Sequence, residues 1–73
     1  MKFLKYGEKE MNTMIENFIN GNLSTAKFQA KRFSIIKIRE AFMEEYFYSF
    51  EKAQLTAEYL KGKSSFQAAV DAE

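Results

Sequence analysis

Apolar side chains recur along this chain at helical spacing, and the pattern predicts five short helices. The first is expected from about residue 8 to residue 20, where apolar side chains repeat at intervals of three and four residues and so share one helix face. Glu8 and Glu10 in its first turn complement the helix dipole. Gly21 follows directly, at the position after a helix end where glycine adopts a positive φ without strain. The apolar positions of this face are Met11, Met14, Ile15, Phe18 and Ile19.

Ser24 predicts the start of the second helix. Serine is a good N-cap because its hydroxyl accepts a hydrogen bond from a free backbone N–H of the first turn. Leu23 and Phe28 flank Ser24 at the spacing of a hydrophobic staple, in which an apolar residue before the cap packs on one in the first turn. We therefore expect the helix to begin at Ser24, with the Phe28 ring directed inward.

Ser34 leaves two interpretations of the middle of the chain. One helix could run from Ser24 to Tyr46, or Ser34 could cap a new helix with Phe33 and Ile38 as its staple pair. β-branched residues cluster directly after Ser34, and they have only middling helix propensity. We therefore expect a break or a sharp bend at Ser34.

The third helix is then expected from Ile35 to Tyr46, and a tight aromatic connection follows it. This connection consists of Tyr46, Phe47 and Tyr48, whose rings we expect to be directed inward. The predicted buried line of the third helix is Ile35, Ile38, Phe42 and Tyr46.

Serine starts and glycine stops define the last two helices. Ser49 is the expected cap of a fourth helix that ends at Lys61, and Gly62 is its expected stop. Ser64 and Gln67 have the S-x-x-Q spacing of a capping box, which predicts a short fifth helix. The expected inward residues are Phe50, Ala53, Ala57 and Leu60 in the fourth helix and Phe66, Ala69 and Val70 in the fifth.

Together these elements predict an all-α fold, a compact bundle of four to five short helices. The connections are all short, which favours close and mostly antiparallel neighbours. A chain of 73 residues has room for one domain, so we expect residues 1–73 to form a single helical domain. Residues 1–6 lack a clear period and are expected to form an extended arm or a frayed first turn.

The composition removes most catalytic chemistry. The chain has no Cys and no His, which excludes thiolate and imidazole metal sites and a Ser-His triad. Ser34 and Lys37 have the S-x-x-K spacing, but a helix cap is the simpler role for Ser34. Glu44 and Glu45 are adjacent and point about 100° apart on a helix, which favours a solvated face over a catalytic pair. We expect no enzyme, no cofactor and no metal site.

The sequence also predicts a cytoplasmic protein without a membrane partner. No stretch approaches the roughly 20 apolar residues of a membrane span. The start of the chain lacks the apolar run of a signal peptide. The absence of Cys fits a cytosolic location.

Charge is distributed unevenly along the chain, although the net charge is only +1. Residues 1–39 carry eight Lys or Arg against three Asp or Glu, and residues 40–73 carry three against seven. No acidic residue occurs between Asn17 and Arg39. Such asymmetry indicates a charged partner or charge-complementary self-association. The basic stretch consists of Lys27, Lys31, Arg32, Lys37 and Arg39.

This basic stretch admits four interpretations: a solvated helix face, a site for an acidic protein, a site for nucleic-acid phosphates, or a site for a small phosphorylated ligand. Lys27 and Lys31 are four residues apart and share a helix face, and a bend at Ser34 could bring Lys37 beside them. The sequence pI of about 7.9 is low for a dedicated nucleic-acid binder. We rank a solvated helix face first, an acidic protein partner second and nucleic acid third.

The chain is rich in aromatic rings, with eight Phe and four Tyr, more than one small core needs. Most of these rings lie on the predicted inward faces and are expected in the core. Tyr6, Tyr48 and Tyr59 are expected to be exposed contacts, because surface aromatic rings mark interfaces. The excess also favours self-association, so a homo-oligomer is one expected state.

Residues 30–73 begin Ala-Lys-Arg-Phe-Ser and end Tyr-Leu-Lys-Gly-Lys-Ser-Ser-Phe-Gln-Ala-Ala-Val-Asp-Ala-Glu. This part of the chain resembles small helical proteins encoded by bacteriophages, most of which are uncharacterised. The resemblance implies expression in the cytoplasm of a bacterial host. Small phage proteins of this type often bind and inhibit a host enzyme or a defence complex. The resemblance transfers no functional residue, and residues 1–29 lie outside it.

The expected function is thus that of a small non-enzymatic binding protein that inhibits or modulates a host protein or defence complex. The alternative is a small nucleic-acid-binding accessory protein that uses the basic stretch. A third expectation is an oligomer that holds a phosphorylated ligand between Tyr rings and Lys or Arg side chains. The residues expected to meet the partner are Lys27, Lys31, Arg32, Lys37, Arg39, Tyr48 and Tyr59.

Overall fold

The computed structural model describes residues 6–72 of the chain. No strand occurs between residues 6 and 72, so the predicted all-α fold of short helices is confirmed. Residues 1–5 of the predicted arm lie outside the described residues, and Tyr6 belongs to the first helix. Residues 6–72 form five helices: α1 (Tyr6–Ile19), α2 (Leu23–Ala30), α3 (Ile35–Tyr46), α4 (Phe50–Leu60) and α5 (Phe66–Asp71).

Glycine ends α1 and α4 through the same backbone motif. Gly21 has a φ of 85°, and its N–H donates to the Phe18 carbonyl at 3.1 Å. The next N–H, that of Asn22, donates to the Asn17 carbonyl at 2.8 Å. This pair of bonds is the Schellman motif, which satisfies carbonyls that the last helical turn leaves open. Gly62 has a φ of 78° and ends α4 with the equivalent pair, so both predicted stops are confirmed.

The start of α2 differs from the prediction. The helix begins at Leu23, its N-cap is Asn22 without a side-chain cap hydrogen bond, and Ser24 lies inside the first turn. The cause is the Schellman motif of α1, which already fixes Asn22, so its carbonyl accepts the first helical bond from Ala26 at 3.0 Å. The predicted staple is also wrong, because the Phe28 side chain is exposed to solvent.

Ser34 and Ser49 begin α3 and α4 as the sequence predicts. Each has an extended backbone, and each Oγ accepts a hydrogen bond at 3.2 Å from the backbone N–H three residues later. A cap of this kind stabilises a helix by about 1 kcal/mol. The expected break at Ser34 is therefore confirmed, and a continuous helix from Ser24 to Tyr46 is excluded.

The cap of α5 is Ser65 and not Ser64. Ser65 has the extended backbone that an N-cap requires, and its Oγ accepts a hydrogen bond from the Ala68 N–H at 3.1 Å. Gln67 does not complete a capping box, because its Nε2 donates to Oδ1 of Asp71 one turn later at 2.8 Å. The predicted short helix is present, but its predicted start is wrong by one residue.

The helices pack as two pairs, α1 with α2 and α3 with α4, and α5 lies on α4. Smaller contacts of α1 with α3 and of α2 with α4 join the two pairs. The alanines of α2 and α4 that are buried in the packed helices are Ala26, Ala30, Ala53 and Ala57. The radius of gyration is 11.4 Å, close to the value of about 11 Å expected for a compact chain of this length.

Phe42 of α3 lies at the centre of the core and is fully buried. Its ring meets that of Phe18 edge to face at 5.6 Å and stacks on that of Tyr48 at 4.9 Å. Such pairs contribute about 0.5–1.5 kcal/mol each beyond their burial. The buried line predicted for α3 is confirmed, with two fully buried residues and two partly buried ones: Ile38, Phe42, Ile35 and Tyr46.

The inward faces of α4 and α5 are narrower than predicted. Phe50 is more than half exposed, because it is the first residue of α4 and lies beyond the edge of the core. Phe66 and Val70 are nearly half exposed, because the six-residue α5 rests on the edge of the bundle. The predicted inward residues that are buried are Ala53, Ala57, Leu60 and Ala69.

Candidate binding surfaces

The outward side of α2 is the most distinctive surface formed by the basic stretch. Ala26 and Ala30 of α2 are buried, which leaves Lys27, Phe28 and Lys31 on its exposed side. The Phe28 side chain is 68% exposed, and the Lys31 Nζ lies 5.4 Å from the centre of its ring. Lysine and ring thus form a cation–π pair in contact with solvent. We call the surface of Lys27, Phe28 and Lys31 the α2 face.

Lys27 lies at the inner border of the α2 face, where α2 meets α4. Its Nζ lies 4.6 Å from the centre of the Tyr59 ring. Tyr59 is only 7% exposed, so the expectation of an exposed contact at this residue is wrong. The inward side of α4 includes Tyr59 beside Leu60, and the ring fills the space between α2, α1 and α5. Close by, the Lys61 Nζ donates to the carbonyl of Ala30 at 3.2 Å.

Arg32 follows α2 directly and is held against α1. Its guanidinium forms an ion pair with the carboxylate of Glu10. On the same junction the Asn17 amide donates to the Gln29 side-chain oxygen at 2.9 Å. Because the ion pair is partly exposed, it contributes at most about 1 kcal/mol. Arg32 therefore helps to hold α1 and α2 together, and part of its charge is neutralised within the chain.

Arg39 belongs to another surface, the outer side of the α3–α4 pair. Its guanidinium lies 4.6 Å from the centre of the Phe50 ring and donates to the Gln54 side-chain oxygen at 2.8 Å. The Gln54 amide in turn donates to Glu58 at 2.7 Å. Lys37 is exposed in the first turn of α3. The structure thus gives the five predicted basic residues different neighbours, and Lys27 and Lys31 are the pair that shares a helix face.

A groove of about 250 Å³ lies between the end of α1, α4, α5 and the α3–α4 connection. Its lining is mostly apolar, and Lys52 provides a positive charge, with its Nζ 5.1 Å from the centre of the Tyr48 ring. Tyr48 is partly buried, and its role as a contact stays a prediction. Burial raises the pKa of the Tyr48 phenol above its usual value of 10.0, and the neighbouring Tyr46 adds to the increase. The lining residues are Phe18, Ile19, Tyr48, Lys52, Thr56, Phe66, Ala69 and Val70.

Phe47 protrudes from the connection between α3 and α4. It is 89% exposed, so the prediction of an inward ring is wrong at this residue. Its φ of 58° is left-handed, and its N–H and that of Tyr48 both donate to the Phe42 carbonyl. The left-handed turn keeps the rings of Tyr46 and Tyr48 against the core and directs the Phe47 ring outward. A left-handed backbone is rare for a bulky residue and strains it.

Sequence reasoning missed Phe28 and Phe47 as surface residues, for different reasons. Phe28 could have been found, because a buried face through Ala26 and Ala30 places Phe28 on the opposite side of the helix. Phe47 could not, because a helix end in the left-handed region is normally signalled by Gly or Asn. The groove also had no signal, since its lining combines residues that are distant in the sequence.

Residues 6–72 contain neither a metal-binding group of side chains nor a membrane-spanning helix. No group of three or more His, Cys, Asp or Glu side chains in this range could hold a metal ion. No helix in the same range has the length and apolar character needed to cross a bilayer. No protein-family model, curated protein or solved structure matches the chain. The function of this chain must therefore be inferred from the surfaces described above.

Proposed function

We propose that this chain is a non-enzymatic binding protein whose α2 face docks onto an acidic segment of another protein. The observation that carries the proposal is the exposed Phe28 ring with the Lys31 ammonium beside it. A largely exposed Phe gains free energy when a partner covers it, at about 25 cal/mol per Å² of apolar area. The neighbouring lysines select carboxylates, and complementary charge of this kind accelerates association and sets specificity.

The charges of the chain favour a short acidic segment over a long polyanion. No acidic residue occurs between Asn17 and Arg39, so the α2 face has no carboxylate of its own to repel an acidic partner. Residues 40–73 carry four more acids than bases, and Glu44, Glu45, Glu51 and Asp71 among them are exposed. An acidic peptide of a few residues can contact the α2 face alone, whereas an extended nucleic acid also approaches these carboxylates.

The resemblance of residues 30–73 to small bacteriophage proteins supports a more specific form of the proposal. In that form the partner is a host protein or defence complex, the location is the bacterial cytoplasm, and binding inhibits or modulates the partner. A small binder acts in this way when it covers a surface that the partner needs. The α2 face lies partly within the region of resemblance, since Lys31 belongs to it and Lys27 and Phe28 do not.

A pull-down from nuclease-treated bacterial lysate tests the proposal. The bait is the full chain, and its variants are Phe28→Ser and Lys31→Glu. Lys63→Glu is the matched control, because Lys63 is an exposed lysine beyond the end of α4 and the charge change is the same. We expect one protein in stoichiometric amount with the wild type and the control, and a loss of at least about tenfold with either variant. Equal recovery by all four baits contradicts the proposal.

Nucleic acid is the second candidate, and the same surface suggests it. Bases of a single strand stack on exposed aromatic rings while lysines contact phosphates, and Phe28 with Lys31 offers both groups. Fluorescence anisotropy with a labelled oligothymidylate, measured over a range of salt concentrations, separates the two. The proposal predicts no saturable binding at physiological salt. If the oligonucleotide binds, if this binding weakens steeply with salt and if it disappears in Phe28→Ser, the partner is nucleic acid and not an acidic protein.

A further inference from the structure

We infer that two copies of this chain pair by inserting Phe47 of each into the groove of the other. The first observation is that Phe47 has an unfavourable backbone conformation and an exposed ring. Its left-handed φ of 58° strains the backbone, and its ring is 89% exposed. The ends of α1 and α4 place glycine in the same backbone region, with φ values of 85° and 78°. A strained, exposed phenyl ring at the third such turn adds little to folding and suits a binding contact.

The groove has the size and lining to receive that ring. An apolar cavity of about 150 Å³ is large enough to hold benzene. The open groove measures about 250 Å³ and is bordered by Ile19, Phe66 and Val70, all of them substantially exposed. A phenyl ring seated there would cover the apolar surface that the isolated chain leaves in water.

The positions of ring and groove indicate a second copy of the chain as the occupant. Phe47 precedes Tyr48 in the chain, and Tyr48 lines the groove. Because ring and groove are joined through adjacent residues, a two-fold rotation that places one ring in the partner's groove also places the partner's ring in the first groove, which forms both contacts at once and closes the pair. Phe47 does not fill the groove of its own chain, since the ring is almost fully exposed.

Charge around the two elements is complementary in the same arrangement. Glu44 and Glu45 are exposed in the last turn of α3, next to Phe47, and that turn contains no basic residue. Carboxylates at a helix C-terminus are disfavoured by the helix dipole, so an external cation would relieve them. Lys52 lies at the groove and provides such a cation for the carboxylates of the other copy.

A specific interface needs about 500 Å² of buried surface from each copy, which is about a tenth of the 5009 Å² surface of the chain.

Sedimentation equilibrium of the full chain, from micromolar to millimolar concentration, tests this pairing. We expect the mass to rise from 8.6 kDa toward twice that value. Phe47→Asn removes the ring at a residue type that tolerates the left-handed backbone, and it should weaken pairing by at least about 30-fold. Phe28→Asn is the matched control, an equally large change at an exposed Phe of the α2 face, and it should pair like the wild type. A wild type that stays at 8.6 kDa at millimolar concentration overturns the inference.

A mixing experiment tests which surfaces meet. Val70→Lys places a charged chain in the groove and leaves Phe47 intact, so this variant and Phe47→Asn should each remain monomeric alone. Their mixture retains one intact ring and one intact groove across the pair, and it should form heterodimers of intermediate affinity. Absence of heterodimers in the mixture, with circular dichroism showing both variants folded, contradicts mutual insertion. Equal pairing of Phe47→Asn and the wild type contradicts it as well.

Discussion

Replacing Phe47 by glycine tests whether the turn between α3 and α4 is strained. A left-handed backbone costs a residue with a Cβ about 1–2 kcal/mol, and glycine avoids this cost. Glycine loses more backbone freedom on folding, which offsets roughly 0.5–1 kcal/mol of the gain. Because Phe47 is 89% exposed, losing its ring removes only about 20 Å² of burial, worth about 0.5 kcal/mol. The free energy of unfolding of Phe47→Gly should therefore lie between about 0.5 kcal/mol below and 1 kcal/mol above the wild type.

The comparison with alanine gives the sharper result. Phe47→Ala loses the same ring but keeps Cβ, so the strain remains, and we expect glycine to be the more stable of the two by about 0.7 kcal/mol. Glu45 provides the matched control, because it is exposed in the last turn of α3 with helical backbone. At Glu45 the order should be reversed, with alanine more stable than glycine by about 1 kcal/mol.

Urea unfolding followed by circular dichroism at 222 nm measures these differences. The measurements belong at micromolar concentration, with a check that the midpoint is independent of concentration, since pairing would add to apparent stability. If the alanine variant is as stable as the glycine variant, or more stable, the turn at residue 47 is not strained, and strain no longer supports the pairing of two copies.

Three further predictions concern the core, the caps and pH. Phe42→Ala should lower the free energy of unfolding by about 3–5 kcal/mol, because the ring is fully buried. Since a chain of this length has only a small free energy of unfolding, thermal unfolding should show little folded variant at 37 °C. Ser34→Ala should lower the free energy of unfolding by about 1 kcal/mol in a urea titration, and Ser24→Ala should lower it much less, because of these two serines only Ser34 caps a helix. Equal losses in the two variants would contradict this assignment. The raised pKa of Tyr48 means that the unfolded chain loses this phenol proton first, so stability should fall as pH rises through about 10 and beyond. Tyr48→Phe should lose less stability in that range, and identical pH profiles would refute the argument.

The helix boundaries that the sequence predicted well are those set by local chemistry. Ser34 and Ser49 place the starts of α3 and α4 at the predicted residues, and Gly21 and Gly62 end helices where glycine is needed. The start of α2 was missed because the closing bonds of α1 position the N-cap backbone before any side chain contributes. A helix can therefore begin one residue after a Schellman turn without a serine cap.

Which aromatic rings are buried was predicted less well, because burial depends on the packing partner. Spacing places Phe50 in line with the buried alanines of α4, yet its ring lies under the Arg39 guanidinium and is half exposed. Tyr59 lies on the part of α4 that faces α1, α2 and α5, a contact that no local pattern indicates. Phe47 protrudes because of its backbone conformation. Side-chain spacing alone does not encode that conformation.

The most direct test of the central claim maps the binding surface by NMR. A ¹⁵N-labelled chain is titrated with the protein recovered in the pull-down, or with a synthetic peptide that combines several Glu residues with one Leu. We expect the amide signals of Ser24, Lys27, Phe28 and Lys31 to shift or broaden, and these changes to disappear in Phe28→Ser. Changes confined to residues 47–52 and α5, with the α2 signals unmoved, would contradict docking through the α2 face.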